Sequence, residues 1–443
     1  MTTTATVLTD PTTLVALQQI RPHPALHFST DPPLASVGIV TPHSTGKPMV
    51  ELITSTRARV PTGLLSSRLA VDPYPYDKLL DRWRPEDVGR FLDGTDSPPT
   101  FAETVTRVYH ALRPVLETGH YEHKVLACWA VATYFFPLFL AFPRLDLRGE
   151  MGSGKSKALS ILAACAFNGL HRVNPTPAVL FRLIEPLRPT LCLDEIEDLV
   201  RRDKPELLAI LNSGYKAGGC VDRCEPDTHK VRSYAVYAPV ALAGIEGLNQ
   251  VTQDRAITLA LKKGRDARKL DALVDVQDER FATIRDECYR LALLRWQDVR
   301  DLYHKPTLPN WLHGRARELW LPLLVIAHLA EQDGSRGFVD DLLDVAVMQS
   351  GERSHLSGEA DGILKVLDEC LGGAAEVAVS PKELCDDLQA VMGWDYTPKP
   401  EMVGRLLTRL GFQKTRGAEG IRYRVTREAA EGLRLRSEGT YTN

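Results

Sequence analysis

The stretch Gly149-Glu150-Met151-Gly152-Ser153-Gly154-Lys155-Ser156 constrains this chain more than any other. It satisfies the pattern G-x-x-x-x-G-K-[ST] without a mismatch. The preceding residues, Arg144-Leu145-Asp146-Leu147-Arg148, read as a strand, and residues 157–165 read as a helix. A strand, a glycine loop and a helix N-terminus in that order make an anion site. Loop N–H groups converge on phosphate oxygens, and the helix dipole adds to them. Glycine allows that approach because no Cβ intervenes. In such a loop Lys155 reaches the β- and γ-phosphates and Ser156 holds Mg²⁺. The expected cofactors are therefore ATP and Mg²⁺, cradled by Gly149, Glu150, Met151, Gly152, Ser153, Gly154, Lys155, Ser156 and Lys157.

A second element turns binding into hydrolysis. Thr190-Leu191-Cys192-Leu193 is an apolar strand ending in two carboxylates, Asp194 and Glu195. Asp194 is expected to hold the Mg²⁺ shell, and Glu195 to orient and polarise the attacking water. Phosphoryl transfer asks the protein for a positioned metal, a positioned water and charge compensation, and for little covalent chemistry. Lys155, Asp194 and Glu195 supply that set.

At 443 residues the chain is too long for one small core. A net charge of −3 gives no global nucleic-acid signature, so any basic surface must be local. Eight cysteines are scattered, several inside apolar runs, with no disulfide framework and no leader-like N-terminus, which points to a reducing cytoplasm. Residues 125–142 carry no charge and match a short membrane span in length. Pro137 interrupts the run and the glycine loop follows at once. The expectation is a core helix leading into the buried strand at Leu145 and Leu147, with no membrane partner.

Taken in order, residues 1–22 read as a Thr-rich, weakly ordered tail. Residues 36–41 and 48–53 read as a two-stranded hairpin, and Asp72-Pro73-Tyr74-Pro75-Tyr76 as a linker. From Phe101 the pattern turns helical. Beyond the carboxylates, 205–215 reads as a helix, and 218–237 as strand, turn and strand, basic at Lys216, Arg223, Lys230 and Arg232. Cys220, Cys224 and His229 lack a fourth ligand for a zinc site. Ala238-Pro239-Val240-Ala241-Leu242-Ala243-Gly244 reads as a buried strand beside the carboxylate strand in a parallel sheet.

By this point the chain resembles AAA+ ATPases. More narrowly it is similar to the superfamily 3-like helicase modules of phages, plasmids and genomic islands. The pieces that carry the resemblance are Gly149–Ser156, Leu191–Glu195, Leu211-Asn212-Ser213-Gly214-Tyr215, the strand 239–244, Gln253-Asp254-Arg255-Ala256-Ile257 and Arg315-Ala316-Arg317-Glu318-Leu319-Trp320. The resemblance implies a ring, six subunits in the usual case. It implies that Arg255 is an arginine finger acting on a neighbour's γ-phosphate. It also implies that Arg315 (or Arg317) is a second sensor touching nucleotide from a helical lid. The basic hairpin would be a pore loop, with Lys230 and Arg232 on single-stranded DNA. One departure stands out: the first-sensor strand runs out in Ala243-Gly244-Ile245-Glu246 rather than in a polar residue, with Asn249 displaced.

The C-terminal residues read as a winged helix. Ser380-Pro381-Lys382-Glu383 carries an N-cap, a proline and an acid in capping positions. A second helix holds Val403, Leu406, Leu407 and Leu410 with Arg405 and Arg409. Alternation in Ile421-Arg422-Tyr423-Arg424-Val425 places Arg422 and Arg424 on the solvent side of a wing strand. Residues 401–443 hold nine Lys/Arg against five Asp/Glu. The expected partner is duplex DNA, with Arg405, Arg409, Arg422 and Arg424 as its contacts.

The expected fold is thus α/β. It comprises a small β-containing region (1–98), a P-loop AAA+ core with a parallel sheet between helices (99–266), a helical lid (267–372) and a winged helix (373–443). The expected function is an ATP-hydrolysing ring that moves on DNA, as a helicase or replication initiator of a mobile element. The rival expectation is an ATP-dependent DNA-binding switch that does not unwind.

Overall fold

Strand β5 (Arg144–Arg148) leads directly into the glycine loop. In the computed structural model it lies second from the edge of a five-stranded sheet. The description covers residues 11–42, 48–65, 82–195, 205–224, 230–244, 248, 250–264, 266–309, 311–410, 412–417 and 420–431; the side chains of Arg405 and Arg409 fall outside it. With β6 (Leu170–Val173), β7 (Leu191–Asp194), β10 (Val240–Gly244) and β11 (Ala256–Ala260), the sheet order is β11-β5-β10-β7-β6. Every pairing is parallel: Ala256 aligns with Arg144, Ala241 with Leu145, Cys192 with Ala241, and His171 with Cys192. Strands buried on both faces read as continuous apolar runs, as Leu191-Cys192-Leu193 and Val240-Ala241-Leu242-Ala243 do. The expected neighbourhood of β10 and the carboxylate strand β7 is present, with β10 inserted between β5 and β7.

The uncharged run 125–142 is core. It forms the helix His120–Ala132 and a short 3₁₀ turn, Thr133–Leu138. Val125 to Ala132 are essentially inaccessible. Its polar atoms find partners inside the protein. The Trp129 indole donates to Pro143 O at 2.9 Å and the Tyr134 hydroxyl to Cys165 O at 3.0 Å. Thr133 Oγ1 accepts from Phe167 N at 2.9 Å. Among the described residues no helix is long and apolar enough to cross a membrane.

The N-terminal region is larger than the hairpin read from the sequence. Strands β1 (Leu26–Thr30), β2 (Pro33–Pro42), β3 (Pro48–Thr54) and β4 (Arg59–Pro61) form an antiparallel meander. Residues 11–20, expected as tail, are helical, and buried Leu17 packs with Leu34, Leu52 and Val60. The proposed linker at 72–76 lies outside the described residues.

The chain divides into two units after Ala346 rather than at 372. Helices Glu279–Leu294 and Gly314–Gln332, expected in a lid, share one core with helices Phe101–Leu112 and His120–Ala132. Arg84 fastens the first of them through Asp286 (Nε to Oδ2, 2.5 Å). The second unit, 347–443, has its own core around Ile363, Leu367, Leu388, Val403 and Val425. Its antiparallel sheet has the order β12 (Glu376–Val379), β14 (Gly420–Thr426), β13 (Gln413–Gly417). Ser380 and Glu383 form a reciprocal capping box, at 3.0 and 3.3 Å, although regular helix begins only at Cys385.

Candidate nucleotide site

The glycine loop closes the carboxyl end of β5 and opens the helix Lys155–Cys165. Gly152 and Gly154 hold φ of 80° and 88°, the left-handed region that side-chain-bearing residues avoid. Gly149 is needed for a different reason: a Cβ there would stand 2.4 Å from Leu261 O and from Ser153 Oγ. Gly154 is the helix N-cap and offers no side-chain acceptor, so the first N–H groups face the cleft without a protein cap. Lys155 Nζ folds over the loop onto the carbonyls of Gly149 (2.6 Å) and Glu150 (3.0 Å). The cleft has a volume of about 480 Å³, and its wall includes Gly152, Gly154, Lys155, Ser156, Asp194 and Glu195.

Parallel pairing brings the carboxylates there. Asp194 ends β7 and is buried, while Glu195 is exposed at φ 55° and turns the chain away from the sheet. The Asp194 carboxyl is held below the usual carboxylate range, chiefly by His171, against the opposing effect of burial. Ser156 and the Glu195 N–H add to the depression. A hydroxyl and an ionised carboxylate facing each other beside an uncapped helix N-terminus are the donor set a phosphate-bound Mg²⁺ takes. The residues present fit ATP and Mg²⁺.

Lys157 also lines the cleft, but its Nζ donates to Lys269 O (3.0 Å) and Leu270 O (2.7 Å). It straps the segment after β11 over the loop. Asp266 N donates to Glu117 Oε2 at 3.0 Å, and Lys269 Nζ to Leu116 O at 3.3 Å. Leu270 of that segment and Val115, which follows the helix Phe101–Leu112, supply the cleft's apolar wall. The sequence offered no local sign of it.

Arg255 and Arg315 are not brought to this cleft. Arg255 precedes β11, and Ala256 aligns with Arg144, so it stands at the amino end of the sheet. A five-residue strand separates it from the loop, about 16 Å. Arg315 lies at the same end, 2.9 Å from Asp254 and 2.5 Å from Glu318, with its guanidinium over the Tyr215 ring. Asn249 and residues 245–247, the first-sensor region, lie outside the described residues.

The basic hairpin exists as β8 (Cys220–Cys224) and β9 (Val231–Ala235), and its turn lies outside the described residues. It rests on the helix Pro177–Leu187. Phe181 and Tyr234 have ring centroids 4.6 Å apart, Arg232 pairs with Glu185 at 3.0 Å, and Arg223 stacks on Phe181. Lys230 is exposed at the start of β9. In the second unit Arg422 pairs with Glu383 (3.2 Å) and Arg424 with Glu376 (2.6 Å). Lys414 and Arg416 on the neighbouring strand, not singled out from the sequence, are exposed with no acidic partner among the described residues. Arg405 and Arg409 lie on the helix Pro400–Arg409, and their side chains are outside the description.

No family model matches the chain, and no curated protein matches it. A solved chain described as "SCCmec type IV Cch - active helicase" aligns with 90% of this chain and 95% of its own length, at 11% identity and a TM-score of 0.38.

Proposed function

We propose that this protein is an ATP-hydrolysing DNA motor of the AAA+ type, similar to superfamily 3-like helicases and working as a ring, most simply a hexamer. The observation that carries the reading is the cleft itself. It joins a cradle that excludes side chains at Gly149, an uncapped helix N-terminus, and Ser156 facing Asp194. When bound, Mg²⁺-ATP would supply the electrophilic γ-phosphorus, with ADP as the leaving group. Lys155, released from the loop carbonyls, neutralises phosphate charge; Ser156 and Asp194 fix the metal; Glu195 aligns the water. Arg255 stands too far from its own loop to serve there, which suits a finger that completes a neighbour's site. Within one chain Arg315 is better placed to brace Asp254, beside Arg255, than to sense nucleotide. The C-terminal unit, with its helix–strand–helix–helix–hairpin order, is read as a winged helix that grips DNA.

Strand displacement by wild type and by Lys155→Ala tests the motor. ATP-dependent unwinding is expected of the first and not of the second; no unwinding by wild type would remove the helicase reading. One observation favours the rival, a DNA-binding switch without translocation: the hairpin cations Arg223 and Arg232 are anchored to the core. Steady ATP hydrolysis stimulated by single-stranded DNA supports the motor. One slow turnover per assembly supports the switch.

A further inference from the structure

Beside the nucleotide cleft lies a side chain that the hydrolysis scheme does not use. His171 sits on β6, the edge strand, next to the carboxylate strand. Its Nε2 stands 3.6 Å from Asp194 Oδ2, and its Nδ1 is 3.2 Å from Ser160 Oγ. Ser160 belongs to the helix that begins at the glycine loop, one turn beyond Ser156, and its hydroxyl lies 2.9 Å from Ser156 O. Asp194 in turn faces the Ser156 side chain, which helps to hold its carboxyl low. The four residues close a ring: Ser156, Ser160, His171, Asp194 and back to Ser156.

The proton inventory of that ring is restrictive. Ser160 has one hydroxyl proton and two acceptor sites within reach, Ser156 O and His171 Nδ1. An imidazole lone pair against an ionised carboxylate is repulsive, so Nε2 must carry hydrogen toward Asp194. The Ser160 hydroxyl donates to Ser156 O at 2.9 Å, and its oxygen holds the other side of the imidazole, 3.2 Å from Nδ1. At 3.6 Å the Nε2–Asp194 contact is longer than a hydrogen bond and orients by charge. No other polar atom among the described residues satisfies Nε2. The ring is therefore aimed at the carboxylate oxygen and at nothing else.

We propose that His171, steered by Ser160, is a positioning residue for the Mg²⁺ carboxylate, fixing which Asp194 oxygen faces the metal. This rests on the nucleotide-hydrolysis reading above. Partners that orient a metal ligand are worth about 10–100-fold in metal affinity. The fixed backbone carries the loop, so nucleotide affinity without metal is independent of His171.

The test uses the full chain, a fluorescent ATP analogue and Mn²⁺ followed by electron paramagnetic resonance. His171→Ala is expected to weaken Mn²⁺ at saturating analogue by about 10-fold, while analogue affinity in chelator and the unfolding midpoint stay at wild-type values. His171→Gln, whose amide can donate to Asp194, is expected to recover most of the loss. Unchanged Mn²⁺ affinity, an equal loss of metal-free analogue affinity, or a Gln variant as weak as Ala would each overturn the assignment. If His171→Ala does not fold, Ser160→Ala carries the test: a smaller loss of Mn²⁺ affinity is expected, and none would overturn it. Wild type that binds neither analogue nor Mn²⁺ would remove the nucleotide reading itself.

Discussion

Arg144 shows how a single residue can be at odds with its surroundings. It is 1% exposed, and none of its three guanidinium nitrogens has a hydrogen-bond partner among the described residues. Burying a cation without a partner costs free energy that a neutral side chain of similar length would not. Arg144→Met is therefore expected to raise the stability of the first unit by about 1–3 kcal/mol, measured as the midpoint of urea unfolding. A lower midpoint would mean that bound water satisfies the guanidinium. The neighbouring Asp146 shows the contrast: it is buried too, but Arg148 Nε donates to it at 2.6 Å and Thr258 at 3.2 Å. Burial still raises its carboxyl above the usual range, with Arg148 opposing.

At the scale of elements, the C-terminal hairpin of β13 and β14 separates two sets of cations. Arg422 and Arg424, the residues that alternation in β14 singles out, are half-exposed or exposed and paired with Glu383 and Glu376. Exposed pairs hold their side chains only loosely, but each guanidinium would meet its carboxylate before a phosphate. Lys414 and Arg416 on β13 carry no such cost. Replacing both by Ala is expected to weaken duplex binding more than replacing Arg422 and Arg424, and to lower the slope of log K against log salt by about 2, near one per phosphate contact. Fluorescence anisotropy across a salt series checks this; equal losses from the two double variants would show that the acid pairs are immaterial.

Two expectations belong to the whole molecule. The first concerns how the N-terminal meander is locked to the sheet-bearing core. His23 accepts from Ala25 N at Nδ1 (3.1 Å) and meets Glu185 O at Nε2 (2.8 Å), so its folded form is the neutral Nε2–H tautomer. Arg188 donates to Leu26 O nearby. Burial, then Arg188, pushes His23 down to about 3 and His27 to about 4. Below pH 6.5 the unfolded chain binds protons that the folded one refuses. Stability is full above pH 6.5 and falls as the pH drops toward 4, by up to about 1.4 kcal/mol per pH unit for each histidine. Denaturation between pH 4 and 7 should show that slope, and His23→Gln should flatten it. The second concerns assembly. Lys155→Ala and Arg255→Ala are each expected to lose hydrolysis. Mixed together they should recover part of it, because one variant keeps the loop and the other keeps the arginine. No recovery on mixing would place Arg255 outside a shared site.

What the sequence determined by itself was local. The glycine loop, its strand and its helix are contiguous, and a phosphate cradle needs only the N–H groups of neighbouring residues. The strand ending in Asp194 and Glu195 was legible for the same reason. The uncharged run 125–142 could be assigned to the core because a buried strand follows it at once. The N-terminal helix was missed because its apolar face, at Leu17, has meaning only against Leu34, Leu52 and Val60. Strand order was decided in three dimensions, since parallel neighbours are joined by long crossovers that leave no trace in spacing. That order sets β6 beside β7 and brings His171 to Asp194, sends Arg255 to the end of the sheet away from the loop, where Arg315 meets Asp254, and leaves Arg144 buried with no guanidinium hydrogen bond among the described residues. Chemistry carried by neighbours in the chain can be read from the sequence; chemistry carried by neighbours in the sheet exists only once the chain has folded.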